Sequence, residues 1–431
     1  MDLSLALTIF SLSLVVFLSL GVWMPAALGM TGVVLLIVGG ETRFLEAIGS
    51  VFWSQGGNFV LIAIPLFILM GEIILASGVS GHFYQSISPW SRFIPGRLYN
   101  TNIMASALFA AVSGSSVATA AALGAVSIPE LRARGYQDRL TFGTLAVGGT
   151  LGILIPPSGA MIIYGSLVNE SIAKLFIAGI LPGILIVGLC IAYIVLITIL
   201  HPERIPSDKE PISLYEFLRS LGGAAPLICL ILLVIGGLYS GFVTPTEAAA
   251  LGVLGSLVIA TLYRNLTWPV LKAAFQRTVT ATCMLMFIIL GAQVIAFALA
   301  RVGVTRELTD LVVEQDVGRW TMFLIVVIMY LVLGCLMDAV SMMVMTLPLI
   351  YPVLMQLGFD PIWLGVILVL LMEIGLITPP VGLNLFVLQG IGNKPIGEVA
   401  LGALPFVGVL MFGIVILCVW PEIALWLPGH I

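Results

Sequence analysis

Long apolar stretches recur along this sequence and place the strongest limit on its fold. A helix needs roughly 20 apolar residues to cross the hydrocarbon layer of a bilayer. Two stretches, about 98–129 and 320–352, are apolar but carry a polar or glycine-containing break at the middle. Continuous stretches of crossing length lie at about 3–20, 22–40, 59–77, 142–168, 176–199, 224–241, 246–263, 279–300, 362–389 and 399–420. The sequence therefore predicts an all-α polytopic membrane protein.

The small number of charges excludes other classes of protein. Of the 431 residues, 60% are hydrophobic and 9% are charged, whereas a soluble domain carries about 25% charged residues. A soluble enzyme, a disordered chain and a nucleic-acid binder are therefore excluded. The five cysteines lie inside apolar stretches without a CxxC pair, which indicates neither a disulfide framework nor a zinc site. No nucleophile–base pair stands out at membrane depth, so we expect no enzymatic activity.

The positions of lysine and arginine predict the orientation of the chain, since cytoplasmic loops are enriched in both. If 98–129 enters the membrane and returns on the same side, 12 of the 17 basic residues share that side. A full crossing by 98–129 would place Arg92 and Arg97 opposite the 132–139 loop and reduce this bias. We therefore expect a re-entrant hairpin, and both termini on the outer face of the membrane, which is the periplasmic face if the host is a Gram-negative bacterium. The first stretch lacks a basic start and a cleavage site, so we expect a retained helix.

An internal repeat appears when the sequence is shifted by 223 residues. Most of the matching residues are Gly or Pro, whose positions have backbone-specific demands. The matches are 11 identities over 54 positions without a gap: Pro129/Pro352, Leu131/Leu354, Gly135/Gly358, Leu145/Leu368, Gly152/Gly375, Pro156/Pro379, Pro157/Pro380, Gly159/Gly382, Gly179/Gly402, Leu181/Leu404 and Pro182/Pro405. Four crossings and one re-entrant pair separate the two Pro-Pro segments. The two halves therefore have inverted topology, as in many secondary transporters.

The repeat divides the chain into four predicted parts. Residues 1–58 form N-terminal scaffold helices and an arm, and residues 201–278 form a linking loop with further scaffold helices. Repeat 1 covers 59–200, and repeat 2 covers 279–431. The inner hairpin lies at about 98–131 with a broken helix at about 142–168, and the outer hairpin lies at about 320–355 with a broken helix at about 362–389. A duplication kept only for stability is the alternative.

Polar or strained backbone marks the centre of each half. Four hydroxyls and a glycine lie at 113–119 in the first hairpin, and groups at this depth must be satisfied inside the protein. Such a tip suits a carboxylate at its N–H groups and a small cation at its carbonyls, although packing of small residues is an equal alternative. Each Pro-Pro pair frees carbonyls from the helix ladder, and paired breaks in two halves point to a binding site. A plain proline kink is the alternative.

Three acids lie within apolar stretches. Asp338 falls opposite Ser115 under the 223-residue shift, at the tip of the second hairpin. An acid at the centre of a membrane is by default a functional-site hypothesis, and cation binding is favoured over capping of the following helix. Glu72 and Glu373 are interpreted as packing or network acids.

At these residues the chain resembles the large membrane subunit of tripartite ATP-independent periplasmic (TRAP) transporters, the DctM/SiaM-like family. The motifs are Gly114-Ser115-Ser116 followed by 128–131, then 134–136, 149–158 (GTLGILIPPS) and 375–384 (GLITPPVGLN). The resemblance implies an elevator-type fold like that of the ion-transporter superfamily, in which two hairpins and two broken helices slide against the other helices. It also implies import of a carboxylate driven by sodium, with a small four-helix membrane subunit and a soluble periplasmic binding protein as partners.

The resemblance also implies site residues. The first sodium site would use Ser113, Ser115, Gly152, Ile155 and Pro157, largely through carbonyls. Its symmetry mate, placed partly by the 223-residue shift, would use Gly334, Asp338, Gly375, Thr378 and Pro380, and the substrate would lie near Ser116, Thr119, Gly149, Thr150 and Asn384. We expect a sodium-coupled importer of a small organic acid. The alternatives are a stand-alone ion-coupled anion transporter without a binding protein and a non-transporting membrane assembly subunit.

Overall fold

The structure is a computed structural model that describes residues 2–204, 206, 214–335 and 337–430. Within these ranges the backbone forms helices and turns and contains no strand. The α-helices, in chain order, are α1 Leu3–Ser19, α2 Met24–Val38, α3 Ile48–Gly56, α4 Ala63–Ala76, α5 Val79–Ile87, α6 Leu98–Ser113, α7 Ser116–Ala133, α8 Asp138–Leu154, α9 Gly159–Val168, α10 Ile172–Leu200, α11 Leu214–Tyr239, α12 Pro245–Leu262, α13 Trp268–Val302, α14 Val304–Glu314, α15 Arg319–Gly334, α16 Ala339–Gln356, α17 Pro361–Leu376, α18 Leu383–Gly392, α19 Ile396–Val419 and α20 Glu422–Leu425.

Apolar helices of membrane-crossing length confirm the predicted class. Among the described residues, eight helical segments are long and apolar enough to cross a bilayer: Phe59–Ala76, Asp138–Val168, Ile172–Leu200, Ser220–Tyr239, Pro245–Leu262, Trp268–Val302, Ala339–Gln356 and Ile396–Val419. The two N-terminal helices are shorter than predicted, because a turn separates Ser19 from Met24 and α2 ends at Val38 before two glycines. Their lengths are 17 and 15 residues.

Helix boundaries reproduce the internal repeat. Helix α7 covers 116–133 and α16 covers 339–356, so both have 18 residues and begin 223 positions apart. Helix α8 begins at Asp138 and α17 at Pro361, again 223 apart. In the first half, α6 and α7 pack on each other and on α8, and in the second half α15 and α16 do the same with α17. We call the α6–α7 pair hairpin 1 and the α15–α16 pair hairpin 2.

Each Pro-Pro segment interrupts a helix, as predicted. The first break separates α8, which ends at Leu154, from α9, which begins at Gly159. The second separates α17, which ends at Leu376, from α18, which begins at Leu383. Both Pro–Pro peptide bonds are cis. We call these segments break 1 (155–158) and break 2 (377–382).

The packing extends the repeat beyond the predicted boundaries. The prediction treats 1–58 as N-terminal scaffold helices with an arm, and 201–278 as a linking loop with further scaffold helices. In the structure α2 packs along α13 of the second half, and α12 packs along α4 of the first half. Helix α1 contacts α14, and α11 contacts α5, in the same exchanged manner. The two pairs are therefore counterparts, and each packs on the opposite half.

An ionic cluster joins the two halves at the end where α8 and α19 begin. The Arg132 guanidinium donates to both carboxylate oxygens of Asp138, at 2.8 and 3.0 Å, and to the carbonyl of Gly392 at 2.7 Å. Lys394 Nζ lies 3.2 Å from Asp138 Oδ2 and 3.4 Å from a Glu398 oxygen. Hydrogen bonding to Asp138, and then to Glu398, raises the pKa of Lys394 above its usual value. The cluster links hairpin 1 to the α18–α19 turn.

Replacing Asp138 by Asn should destabilise this junction. Asp138 Oδ1 and Oδ2 are the acceptors for both Arg132 and Lys394, and the Asp138 side chain is only 17% exposed. Loss of these charge-assisted bonds should cost about 1 kcal/mol after solvent screening, or about 1 °C in the unfolding midpoint of a chain of this length. The measurement is thermal unfolding of the purified protein in detergent. The control is Asp310→Asn, which removes the exposed ion pair that Asp310 forms with Arg306 at 3.7 Å. Equal unfolding midpoints for the two variants would contradict the prediction.

Candidate functional site

The tip of hairpin 1 is built from short polar residues around one glycine. Helix α6 ends at Ser113, and Gly114 has a φ of 58°, a left-handed conformation that glycine adopts without strain. Ser115 caps α7, since its Oγ accepts a hydrogen bond from the Ala118 N–H at 3.4 Å. Ser113 Oγ lies 2.5 Å from Thr119 Oγ1. These bonds hold the two helix ends of the hairpin in one arrangement.

The same tip lies between α8 and α4, and its backbone contacts the backbone of both helices. A Cβ on Gly152 of α8 would lie 2.9 Å from the Ser115 carbonyl carbon and oxygen. A Cβ on Gly71 of α4 would lie 2.8 Å from the Ser113 carbonyl oxygen. Gly114 faces break 1, because its own Cβ would lie 3.5 Å from the Pro157 carbonyl oxygen. The structure therefore brings Ser113, Ser115, Gly152 and Pro157 together.

Break 1 leaves part of the α8 ladder without its usual donors. In an intact helix the carbonyls of Gly152 and Ile153 would accept from the N–H groups of residues 156 and 157, which are prolines. The Ser158 hydroxyl donates to the Ile153 carbonyl instead, and Ser158 Oγ also caps α9 by accepting from the Met161 N–H at 3.4 Å. Ile155, the remaining predicted residue of this site, lies at the start of the break in an extended conformation.

Hairpin 2 meets break 2 in a related way. A Cβ on Gly334 would lie 2.5 Å from the Gly375 Cα, so the two backbones touch. The Cys335 thiol donates to the Pro379 carbonyl at 3.1 Å, and Thr378 Oγ1 donates to the Ile374 carbonyl at 2.6 Å. Gly334 and Gly375, two residues of the predicted second sodium site, are thus in contact, with Thr378 and Pro380 in the adjoining break. Sequence analysis missed Cys335, whose counterpart in the first half is Val112.

Asp338 occupies the position that Ser115 occupies in hairpin 1. Its Oδ2 accepts from the Ser341 N–H at 3.0 Å, so it caps α16 as Ser115 caps α7. The capping alternative raised from the sequence is therefore present, and it uses one of the two carboxylate oxygens. Ser341 was not predicted as a site residue; its hydroxyl oxygen is buried and has no hydrogen-bond partner among the described residues. Its position three residues after Asp338, the N-cap of α16, could have indicated it from the sequence.

The predicted substrate residues cluster around the middle of α8 and are all deeply placed. Ser116 Oγ donates to the Thr150 carbonyl at 3.3 Å, and Thr150 Oγ1 donates to the Val147 carbonyl at 2.7 Å. Thr119 pairs with Ser113. The Asn384 amide lies beside Gly149 and donates to the Ala146 carbonyl at 3.4 Å, while its Oδ1 is buried without a partner among the described residues. These hydroxyls are thus bonded within the protein in this conformation.

The other two membrane acids differ from each other. Glu72 on α4 lies 3.6 Å from Arg277 on α13 and forms an ion pair between these helices. Glu373 on α17 is fully buried, and within the part of the chain that the structure describes neither of its carboxylate oxygens has a hydrogen-bond partner. Glu72 therefore links two helices through an ion pair, whereas Glu373 is enclosed by the packing of the helices around it.

A cavity of about 820 Å³ separates the tip of hairpin 2 from α13 and the α1–α2 turn. Asp338 and Ser341 contribute polar groups to its wall, and Met284, Phe287 and Trp23 contribute apolar ones. At Gly71, where α4 contacts the tip of hairpin 1, the two backbones are too close for a methyl group, so no such gap is present at that point. The two tips therefore meet the surrounding helices differently.

Comparison with known proteins gives consistent matches over nearly the whole chain. Residues 11–423 match the family model described as "Tripartite ATP-independent periplasmic transporter, DctM component". The C4-dicarboxylate TRAP transporter large permease protein DctM of Pseudomonas aeruginosa is 35% identical over 404 residues, which cover 94% of each chain. The sialic acid TRAP transporter large permease protein SiaM of Vibrio cholerae is 32% identical over 372 residues, which cover 86% of each.

A solved structure shares the fold. The YdaH transporter of Alcanivorax borkumensis superposes with a TM-score of 0.61 at 15% sequence identity. The match covers 97% of this chain and 98% of that one. The likeness confirms the predicted fold class.

Replacing Gly152 by Ala should separate hairpin 1 from α8. The added methyl group would lie 2.9 Å from the Ser115 backbone, so one of the two segments must move. Overpacking of this kind costs about 1–3 kcal/mol, which thermal unfolding in detergent would measure. Gly188→Ala on α10 is the matched control, because a Cβ there meets nothing within 4 Å and alanine favours the helix. Unfolding midpoints that agree for both variants would argue against the contact.

Proposed function

Because the chain belongs to the family of the DctM component of TRAP transporters, the large permease subunits of secondary transporters, we propose that it imports a small organic acid together with sodium by an elevator movement. It is a transporter subunit and not an enzyme. Membership in a tripartite family implies a small membrane subunit and a periplasmic binding protein as partners. The proposal concerns the coupling ion, the cargo and the movement.

The observation that carries the proposal is the contact between hairpin 1 and break 1. The Ser115 carbonyl lies directly on Gly152, whose own carbonyl would in an intact helix pair with residue 156, a proline. The Ser115 carbonyl at the hairpin tip and the Pro157 carbonyl of the break thus both lie where hairpin 1 meets α8 and break 1. Backbone at membrane depth must be satisfied by protein or must line a site. Carbonyl and hydroxyl oxygens are ligands that suit a sodium ion, and transporters use unwound backbone for this purpose. Ser113, Ser115, Gly152, Ile155 and Pro157 would hold the ion.

The second half supports a counterpart site with an added charge. Gly334 and Gly375 touch through their backbones. Asp338 caps α16 with one carboxylate oxygen, which accepts from the Ser341 N–H, and its other oxygen is not used for this cap. We assign Gly334, Asp338, Gly375, Thr378 and Pro380 to this second sodium site. The negative charge of Asp338 would favour cation binding there.

The helix packing supports a division into a moving body and a fixed scaffold. The hairpins and broken helices pack on one another, and α10 and α19 pack on α17 and α8. We therefore add α10 and α19 to the moving body, whereas the sequence analysis counted them with the scaffold. The pairs α2–α13 and α4–α12 form the scaffold core. Hairpin 1 contacts this core closely at Gly71 of α4.

We propose that the cargo is a carboxylate, on the basis of the substrates named for two relatives. The relatives named above are a C4-dicarboxylate and a sialic acid permease, and carboxylates are common to both names. An anion would bind near Ser116, Thr119, Gly149, Thr150 and Asn384, where α7 begins and its N–H groups favour negative charge. We propose a bacterial inner membrane as the location, with both termini periplasmic.

Asp338→Asn tests sodium binding separately from capping. Asn caps a helix about as well as Asp, but it removes the charge. A ligand present at 100 times its dissociation constant stabilises the folded protein by about 2.7 kcal/mol. The unfolding midpoint of the wild type should therefore be higher in NaCl than in KCl. A tenfold loss of affinity in Asp338→Asn would remove about 1.4 kcal/mol of this stabilisation. The readout is the NaCl-minus-KCl difference in midpoint.

Asp360→Asn is the matched control for that test. Asp360 also caps a helix, by accepting from the N–H groups of Ile362 and Trp363 at 2.8 and 3.0 Å, but it lies at the far end of α17 from break 2. Its variant should keep the full sodium effect. An unchanged sodium effect in Asp338→Asn would remove this residue from the site and leave capping as its role.

Reconstitution distinguishes the proposal from its alternatives. Proteoliposomes that contain the chain with its small membrane partner should take up an organic acid only when the cognate binding protein and a sodium gradient are present. Uptake without the binding protein would favour a stand-alone anion transporter. The absence of both uptake and sodium-dependent stabilisation would favour a membrane assembly subunit.

A further inference from the structure

A buried polar network joins hairpin 1 to the helices around it. Tyr84 Oη donates to Asn102 Oδ1 at 2.7 Å, and Ser127 Oγ donates to the same oxygen at 2.6 Å. Asn102 Nδ2 donates to Thr144 Oγ1 at 2.9 Å. The four residues are fully buried and lie on α5, α6, α7 and α8. One asparagine thus ties both helices of the hairpin to its broken helix and to α5.

Opening of hairpin 1 away from α8 would therefore be costly. It would separate Asn102 and Ser127 from Thr144 or from each other, and would leave polar groups without partners at membrane depth. A buried group that loses its partner pays its full desolvation penalty, and no water is available in the hydrocarbon layer to replace it. The ion pair of Arg132 with Asp138 adds a second attachment at the far end of the hairpin.

Hairpin 2 has the same shape but none of these attachments. The counterparts of Asn102, Ser127 and Thr144, 223 residues on, are Ile325, Ile350 and Ile367. The counterparts of Arg132 and Asp138 are Met355 and Pro361, which cannot form an ion pair. Ile325 is also 50% exposed, whereas Asn102 is fully buried. Apolar contacts of this kind can be exchanged for other apolar contacts without leaving a polar group unpaired.

The remaining polar contacts of hairpin 2 are few. Tyr330 and Thr346 hydroxyls pair at 2.8 Å, but both belong to the hairpin itself. Among the described residues, the side-chain hydrogen bond that links hairpin 2 to α17 or break 2 is the weak one from Cys335 to the Pro379 carbonyl. The tip also borders the cavity of about 820 Å³, so space for movement exists on that side.

We propose that Asn102 is a positioning residue that keeps hairpin 1 fixed to α8 in every state, so that hairpin 2 alone opens to admit and release ions and cargo. The inference rests on the proposed transport function. It follows that the site at Ser115 and Gly152 is preformed, whereas the site at Gly334 and Gly375 is completed when hairpin 2 closes. Sodium should then favour the closed form of hairpin 2.

Two matched substitutions to cysteine can report the opening of each hairpin. Ser116 and Ala339 are the first residues of α7 and α16, lie 223 positions apart, and are 4% and 8% exposed. We would make Ser116→Cys and Ala339→Cys in separate chains, and we call the introduced groups the hairpin 1 thiol and the hairpin 2 thiol. Their modification by N-ethylmaleimide is followed in the full chain in detergent by peptide mass spectrometry. In KCl, the hairpin 2 thiol should react at least tenfold faster than the hairpin 1 thiol, and NaCl should slow only the hairpin 2 thiol.

Removal of the network should free hairpin 1. Asn102→Leu combined with Ser116→Cys should raise the reaction rate of the hairpin 1 thiol at least tenfold. The same change combined with Ala339→Cys should not alter the rate of the hairpin 2 thiol. Ser127→Ala is the milder variant, for use if Asn102→Leu does not fold. Thr346→Val is the control, because it removes a hydroxyl pair within hairpin 2 and should leave the hairpin 1 thiol as slow as before.

The outcomes separate this inference from the proposed function. Equal rates for the two thiols, or no acceleration of the hairpin 1 thiol in either network variant, would overturn the fixed role of hairpin 1. Sodium that slows both thiols alike would also overturn it while supporting sodium binding. In a further outcome, the hairpin 2 thiol reacts faster and Asn102→Leu accelerates the hairpin 1 thiol, but sodium changes neither rate. This outcome would support the hairpin assignment and count against sodium coupling.

Discussion

Backbone groups released from helices at membrane depth must be satisfied inside the protein, and the architecture depends on this constraint. A Pro-Pro break and a hairpin tip release such groups in each half. Ser115, Ser158 and Asp338 each cap a helix that begins at one of these points. Where no side chain reaches, the freed carbonyls lie against another backbone. A bilayer offers no water for this purpose, so the same segments that must be shielded from lipid are those able to hold an ion.

Glycine makes the central contacts possible. Gly152 lies on the backbone of Ser115, and Gly334 lies on Gly375, at distances that leave no room for a methyl group. Contact of two backbones brings carbonyl oxygens together without long side chains, which gives a site whose geometry depends on helix positions. The sodium sites that we propose would therefore move as units with their helices, as the proposed elevator movement requires.

The two halves share a backbone plan but differ in chemistry. Hairpin 1 is tied by Asn102, Ser127, Thr144 and Tyr84, while the equivalent positions of the second half hold isoleucines and Glu307. Ser115 and Asp338 have the same capping role, and only the second carries a charge. Inverted repeats supply the symmetric frame that alternating access requires. The differences in side chains give the two hairpins different polar contacts.

Much of the frame follows from the sequence alone. Apolar length determines which segments can cross a bilayer. Two consecutive prolines inside a span mark where a helix breaks, whereas single prolines such as Pro182 and Pro405 lie inside continuous helices. Interrupted apolar stretches predicted both hairpins, the Pro-Pro pairs predicted both breaks, and the 223-residue shift predicted that the two halves correspond. The tertiary structure alone decided the exchange of α2 and α12 between halves, the bonding of Ser116, Thr119 and Thr150 within the protein, and the network around Asn102. These depend on which side chains meet across helices distant in sequence, and in a uniformly apolar chain the pattern of hydrophobicity does not specify which helix faces lie against each other.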